Sequence, residues 1–244
     1  MKLAIIGGSG LGRIDGLQES RREAVTTPYG EPSAPLRYGI LGNLEIVFLP
    51  RHGEGHSLPP HRINYRANIA ALKQAGVTHV IAVAAVGGIT QAMVPQALVV
   101  PDQIIDYTYG REHTFFDGRD GNVTHVDFTY PYSDALRYDL VAAARCADID
   151  AVDGGCYGCT QGPRLETAAE IARMERDGCD LVGMTGMPEA ALAREAGLEY
   201  ACLAVVVNRA AGKAEGVVSM AEIDANLVAG MEKVRKVLGV LVGL

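Results

Sequence analysis

The sequence predicts an α/β protein in which helices flank a central sheet that is mixed and largely parallel. Three observations carry this. Short β-branched runs recur along the 244 residues, helical patterns with start and stop signals fall between them, and one long stretch carries no charge. The runs at residues 2–6, 44–49, 79–85, 97–105, 179–183 and 201–207 show no polar alternation and read as strands buried on both faces. Helical candidates occupy residues 64–74, 133–146, 167–177 and 188–196, and a last one runs from Met220 towards the C-terminus.

Taken in order, residues 2–6 run straight into glycines, and the apolar segment is too short for the core of a signal peptide. Residues 74–101 contain no Asp, Glu, Lys or Arg, which raises the question of a membrane span. A spanning helix needs about 20 continuous, mostly apolar residues. Gly76, Gly87, Gly88, Gln91, Pro95 and Gln96 break the stretch into pieces, so two buried strands with a turn are expected. Residues 106–132, rich in Tyr, His, Asp and Gly, have weak periodicity and read as a long surface excursion. Thr167-x-x-Glu170 and Ser219-x-x-Glu222 have capping-box spacing, Pro188 suits a first turn, and Gly178 and Gly197 sit where left-handed caps belong. No repeat, low-complexity tract or linker divides the chain, so residues 1–244 are expected to form one domain.

Composition bounds the function. There are 22 Lys plus Arg against 29 Asp plus Glu, a net charge of −7. That argues against a protein whose main task is to neutralise nucleic-acid phosphates or to lie on an anionic membrane, but not against a pocket for one small anion. The five cysteines form no regular framework. Cys156-Tyr157-Gly158-Cys159 has redox or zinc-ligand spacing, yet no second pair completes a metal site. Reduced cysteines in a packed strand, no metal and a cytoplasmic location are expected.

Three segments concentrate chemistry. Gly7-Gly8-Ser9-Gly10-Leu11-Gly12 follows a strand, and its glycines would let backbone N–H groups turn towards an anion, with Ser9 adding a hydroxyl. A tight structural turn explains the same glycines equally well. A dinucleotide fingerprint is excluded because Arg13 stands where a small residue is needed, and no Walker lysine is present. Arg51-His52-Gly53-Glu54-Gly55-His56 places a rigid cationic fork and an imidazole at a strand end, where open α/β sheets bind ligands. The competing reading is a solvated loop with an Arg51–Glu54 pair. Of the remaining histidines, His79 falls in a strand pattern as a core residue, and His61, His113 and His125 are loop residues. The third segment joins Thr160-Gln161-Gly162-Pro163-Arg164-Leu165-Glu166-Thr167 to Gly183-Met184-Thr185-Gly186-Met187-Pro188-Glu189. It is followed by Asn208 at the end of an apolar strand, where an amide needs partners that a pocket can supply.

With these segments in view, the chain resembles the trimeric purine nucleoside phosphorylase and methylthioadenosine phosphorylase family over nearly its whole length. Gly7-Gly8-Ser9-Gly10, Arg51-His52-Gly53, Asn64-Tyr65-Arg66-Ala67-Asn68, Gly162 to Thr167 and Met184 to Glu189 carry the likeness. It implies a three-layer nucleoside phosphorylase fold and a phosphate site of Ser9, Arg51, His52, the Ala85 backbone and Thr185. It further implies that Met184 packs on the ribose, Leu165 lies beside the base, and Glu166 and Asn208 meet the base edge and N7, with catalysis assigned to Asn208, Glu166 and His52. Val83-Ala84-Ala85 departs from the pattern, lacking the polar residue many relatives place beside phosphate.

Relatives acting on 6-aminopurines resemble one another in carrying Asp at the position of Asn208 and again at that of Ala210. An amide at 208 together with Glu166 favours a 6-oxopurine. No histidine lies in residues 212–224, where ordinary purine nucleoside phosphorylases bind the 5′-hydroxyl. Val217, Val218 and Met220 offer an apolar 5′ end instead, and His56 could line it from another loop. The expected reaction is phosphorolysis of S-methyl-5′-thioinosine to hypoxanthine and 5-methylthioribose 1-phosphate, with phosphate as co-substrate and no cofactor. Phosphorolysis of inosine, guanosine or methylthioadenosine, and purine binding without turnover, stand as alternatives. The resemblance also implies a homotrimer in which Tyr107, Tyr109, His113, Phe115 or Phe116 of a neighbour completes the 5′ pocket.

Overall fold

The computed structural model describes residues 1–118, 121 and 123–243. Its strands are β1 (Leu3–Gly7), β2 (Gln18–Glu23), β3 (Leu36–Leu41), β4 (Leu44–Pro50), β5 (His79–Gly88), β6 (Leu98–Val100), β7 (Gln103–Asp106), β8 (Ala151–Asp153), β9 (Cys156–Cys159), β10 (Leu181–Gly183) and β11 (Glu199–Arg209). The helices are α1 (Tyr65–Gln74), α2 (Asp134–Cys146), α3 (Ala168–Arg176), α4 (Gly186–Glu195) and α5 (Met220–Leu241).

Every residue of β1 is buried, and its side chains alternate between two cores: Ala4 and Ile6 enter one, Leu3 and Ile5 the other. That is the period of a strand covered on both sides. α1 and α4 supply Ile69, Leu72, Leu192 and Ala193 to the first core, and α2 and α5 supply Leu136, Leu140, Val234 and Leu238 to the second. The sheet thus lies between two helical layers, the mixed α/β architecture expected. α3 covers a smaller cluster with Ile171 and Met174.

The strand order is β2-β3-β4-β1-β5-β10-β9-β7, with β11, β6 and β8 branching from β5. The β1/β4, β1/β5, β5/β11, β9/β10, β7/β9 and β6/β8 pairs are parallel; β2/β3, β3/β4, β5/β10 and β6/β11 are antiparallel. β5 decides where the site lies. One edge of it pairs with β1 through residues 79–82 and with β10 at Gly87 and Gly88, while β11 runs along the other edge. Between these two partners the first edge faces no strand, so the backbone of residues 83–86 opens there to whatever the neighbouring loops enclose.

Several elements differ from expectation. Residues 97–105 are two strands: Pro101 interrupts the run, and the Asp102 carboxylate accepts from Gly155 N–H at 2.8 Å. β6 then joins β11 while β7 joins β9. The strand expected at residues 179–183 is ordered as a strand only from Leu181. His79, expected in the core, is half-buried at the start of β5, its Nδ1 2.8 Å from the Thr78 hydroxyl. Thr167 and Glu170 form the full reciprocal capping box, whereas for Ser219 only the hydroxyl's bond from Glu222 N–H is formed. Residues Arg119, Asp120 and Asn122 of the expected excursion lie outside the described residues. Its described part is pinned rather than loose, because Arg111 is buried and Thr114 and Phe115 both donate to the Glu195 carboxylate. All five cysteines are free thiols, and Cys156 and Cys159 are both in β9.

Candidate active site

The gap in β5 is the floor of a pocket of about 470 Å³ whose lining includes Ser9, Arg51, His52, His56, Ala85, Leu165, Glu166, Met184, Thr185, Asn208 and Met220. The residues singled out from the sequence for phosphate, base and ribose therefore meet in one cavity with Val218 and Met220, although they come from loops up to about 200 positions apart, whereas Val217, expected at the 5′ end, is exposed and does not line it. Tyr107, Tyr109, His113, Phe115 and Phe116 do not line it.

At one end, β1 runs into a turn in which Leu11 N–H donates to the Gly8 carbonyl at 3.0 Å and Gly10 takes φ +77°. This is the glycine position of a type II turn. Gly8 is required for a different reason. A Cβ there would lie 2.4 Å from the Val83 carbonyl oxygen and 3.0 Å from Arg51 Nη1, so only glycine lets the turn approach the open edge of β5. Ser9 sits at the apex of that turn. Along a strand, a residue's N–H and C=O point to one edge and the next residue's to the other. The Val83 carbonyl faces the gap, where it accepts from Arg51 Nη1 at 2.9 Å, and so the Ala85 N–H faces it too. The missing polar side chain at 83–85 is thus matched by an available backbone donor.

Arg51 follows β4 and is 1% exposed. Its Nε and Nη2 donate to the two oxygens of Glu189 at 2.7 and 2.8 Å, and Glu189 is wholly buried. The Tyr200 hydroxyl donates to the same carboxylate at 2.8 Å. Burial works against the guanidinium charge, but the Glu189 carboxylate more than offsets it and holds the Arg51 pKa above its ordinary value. Three of the five N–H groups are engaged within the protein, leaving one on each Nη for a ligand. The expected alternative, a solvated loop in which Arg51 pairs with Glu54, is corrected: Glu54 pairs with Arg22 and Arg37. Sequence reading assigned no role to Glu189. The available signal was a single acid in the otherwise small and apolar segment Met187-Pro188-Glu189-Ala190-Ala191-Leu192.

His52 Nδ1 lies 2.8 Å from the Leu58 carbonyl, which can only accept, so the proton sits on Nδ1 and Nε2 is left as an acceptor. Burial and then the Arg51 charge push its pKa down to about 4. The His56 ring lies against it, with centroids 4.3 Å apart. Thr185 is buried at the N-cap of α4 and makes no side-chain capping bond.

At the other end, β11 carries a bulge: Val206 pairs with Val86 and Asn208 with Gly87, leaving Val207 extra. The bulge breaks strict alternation, and both Val207 and Asn208 line the pocket. Asn208 is buried, and its Nδ2 donates to the Arg209 carbonyl at 2.6 Å. Its Oδ1 and second amide hydrogen remain for a ligand. Glu166 accepts at Oε1 from the Thr160 hydroxyl at 2.6 Å. Leu165 and Met184 also line the pocket, as do the apolar side chains of Val218, Met220 and Ile223. Among the described residues no three His, Cys, Asp or Glu side chains gather as a metal site, and no helix is long and apolar enough to cross a membrane.

Comparison with known proteins places this geometry in a family. The chain matches the Phosphorylase superfamily over residues 2–242. It is 56% identical over 240 residues, 98% of this chain and 96% of the relative, to a probable S-methyl-5′-thioinosine phosphorylase of Xanthomonas campestris. It is 49% identical over 216 residues, 86% of this chain and 80% of the relative, to the 6-oxopurine nucleoside phosphorylase of Pyrococcus furiosus. The methylthioadenosine phosphorylase of Schistosoma mansoni, solved with adenine, superposes with a TM-score of 0.94 at 36% identity, covering 99% of this chain and 90% of that one. A pocket built at the open edge of β5 and a match spanning almost the entire sequence agree, and the chain belongs to the phosphorylase superfamily.

Proposed function

We propose that the protein catalyses reversible phosphorolysis of a 6-oxopurine 5′-methylthionucleoside, converting S-methyl-5′-thioinosine and phosphate to hypoxanthine and 5-methylthioribose 1-phosphate. The observation that carries this reading is the set of groups gathered in one pocket: anion donors at the β5 gap, the polar Glu166 and Asn208, and the apolar side chains of Val218, Met220 and Ile223. The names of the Xanthomonas campestris and Pyrococcus furiosus relatives accord with an oxopurine base, and that of the Schistosoma mansoni relative with a methylthio sugar.

In this reading phosphate attacks C1′ from the face opposite the purine as the glycosidic bond breaks. The two remaining Arg51 N–H groups, Ser9, Thr185 and the Ala85 N–H orient it, and its negative charge stabilises the cation-like sugar. His52, neutral at pH 7, accepts at Nε2 from a protonated phosphate oxygen or a ribose hydroxyl. The glycosidic electron pair leaves with the base, Asn208 donates a hydrogen bond to the charge that moves onto the ring, and N7 takes its proton from solvent. Glu166 accepts from N1–H, which a 6-oxopurine carries and a 6-aminopurine lacks. Met184 packs on the ribose, Leu165 beside the base, and His56 beside the 5′ end.

Phosphate is the co-substrate and no cofactor takes part. The whole chain acts as one domain, and a cytoplasmic location accords with five unpaired thiols. Met220 is 62% exposed, which favours a homotrimer in which a neighbour covers the 5′ end. The test is phosphate-dependent base release from S-methyl-5′-thioinosine, methylthioadenosine, inosine and adenosine at equal concentration. The methylthio oxopurine nucleoside should lead; preference for methylthioadenosine would overturn the base assignment, and preference for inosine the 5′ assignment.

A further inference from the structure

We infer that Thr160 is a positioning residue that sets base specificity by fixing the Glu166 carboxylate, and that Arg111 holds Thr160 in place. The inference rests on the reading above, in which Glu166 meets the purine edge.

Glu166 sits between two cavities. It lines the substrate pocket and also a second cavity of about 420 Å³, which has Arg164 and Arg173 in its wall. A glutamate with three rotatable bonds in that setting has two destinations, one towards each cavity. The Thr160 hydroxyl decides between them by donating to Oε1 at 2.6 Å. Oε2 is left as the acceptor for the base. The nearby cations do not compete, because Arg164 is engaged by both oxygens of Glu170 and Arg173 faces Asp177.

Thr160 is itself held on its backbone. Its N–H donates to the Gly183 carbonyl at 2.8 Å, and its own carbonyl accepts from Arg111 Nη2 at 3.2 Å. Arg111 is buried, and no ion pair to a carboxylate is formed with it among the described residues. Its Nη2 also donates to the Gln161 carbonyl, its Nε to Gln161 Oε1, and its Nη1 to the Tyr65 hydroxyl and the Met187 carbonyl. Five contacts exhaust the five donors of a guanidinium. The bracket ties the segment before Glu166 to the Met187 backbone at the start of α4, beside Thr185.

The consequence is chemical. A carboxylate fixed by one donor presents an acceptor to the base and cannot rotate to serve another pattern. A 6-oxopurine N1–H satisfies it, whereas a 6-aminopurine N1 sets lone pair against lone pair. Without the hydroxyl, Glu166 gains the freedom to turn away, and the oxopurine loses its partner while the aminopurine loses its repulsion.

Thr160→Val keeps shape and the backbone bonds while removing only the donor. We expect kcat/KM for S-methyl-5′-thioinosine to fall roughly 10-fold, the usual effect of losing one hydrogen bond to a charged group. Its ratio to kcat/KM for methylthioadenosine should narrow, with KM for phosphate unchanged. Thr160→Ser, which retains the hydroxyl, should restore the ratio. An unchanged ratio in Thr160→Val, or equal losses on both nucleosides, overturns the inference. Glu166→Gln separates this from failure of the underlying reading: if that variant also leaves the ratio unchanged, Glu166 does not meet the base at all.

Discussion

Arg51 and Glu189, 138 residues apart in sequence, meet in a two-pronged ion pair that solvent does not reach. One follows β4 and the other lies in α4, so the pair ties a residue of the pocket wall to the helix behind it. Both oxygens of Glu189 are engaged, and the Tyr200 hydroxyl adds a third donor. Removing one member of such a pair strands the other as a buried charge. Glu189→Ala should therefore cost about 3–5 kcal/mol of folding stability. Urea unfolding at neutral pH measures it, and a midpoint equal to that of the parent would show that another group compensates Arg51.

His52 makes stability depend on pH. Burial and the Arg51 charge hold its pKa at about 4, against 6.5 for the ordinary side chain. As pH falls the unfolded chain takes up the proton first. The contribution of His52 is thus complete above about pH 6.5 and is lost as pH falls towards 4, to a limit of about 3 kcal/mol at 1.36 kcal/mol per pKa unit. His52→Gln can keep the donor to Leu58 without a titrating ring. Unfolding curves at pH 7 and pH 4.5 should converge more in that variant than in the parent; equal acid sensitivity would place the effect elsewhere.

Asn208 is presented to the pocket beside the β11 bulge, and in the proposed reaction it meets the charge on the departing purine. Loss of one donor aimed at developing charge is worth a few kcal/mol, so Asn208→Ala should lower kcat by roughly 100-fold. Steady-state turnover with S-methyl-5′-thioinosine tests this, and near-parent kcat would remove Asn208 from the mechanism. Asn208→Asp combined with Ala210→Asp should move preference towards the amino base.

The approach of the first turn to β5 depends on a missing side chain. At Gly8 a Cβ would stand 2.4 Å from the Val83 oxygen, so Gly8→Ala must push the turn, and Ser9 with it, away from the gap. The expected result is a KM for phosphate raised roughly 10-fold, with stability lowered by about 1–3 kcal/mol as in overpacked cores. Phosphate titrations at saturating nucleoside would reveal it; an unchanged KM would mean that Ser9 does not touch phosphate.

Much of this was legible in the sequence because the signals were local. The uninterrupted apolar runs of β1, β4, β5 and β11 need cover on both faces, and the caps at Thr167, Gly178 and Gly197 are set by residues within one turn. The pocket residues were legible as types, since a glycine turn, an Arg-His strand end and an Asn closing an apolar run each have few structural uses. β2 was not legible: Gln18 to Glu23 is polar throughout, and only its antiparallel neighbour β3 makes it a strand. The division of residues 97–105 was hidden because apolar residues stand on both sides of Pro101, at 98–100 and at 104–105, yet β6 and β7 pair with different strands. Tertiary structure alone decided that Arg51 turns to Glu189 rather than Glu54, that Val207 bulges, and that Thr160 reaches Glu166. Each is a choice among partners distant along the chain or across a turn, and burial and hydrogen-bond satisfaction settle such choices only once the sheet is assembled.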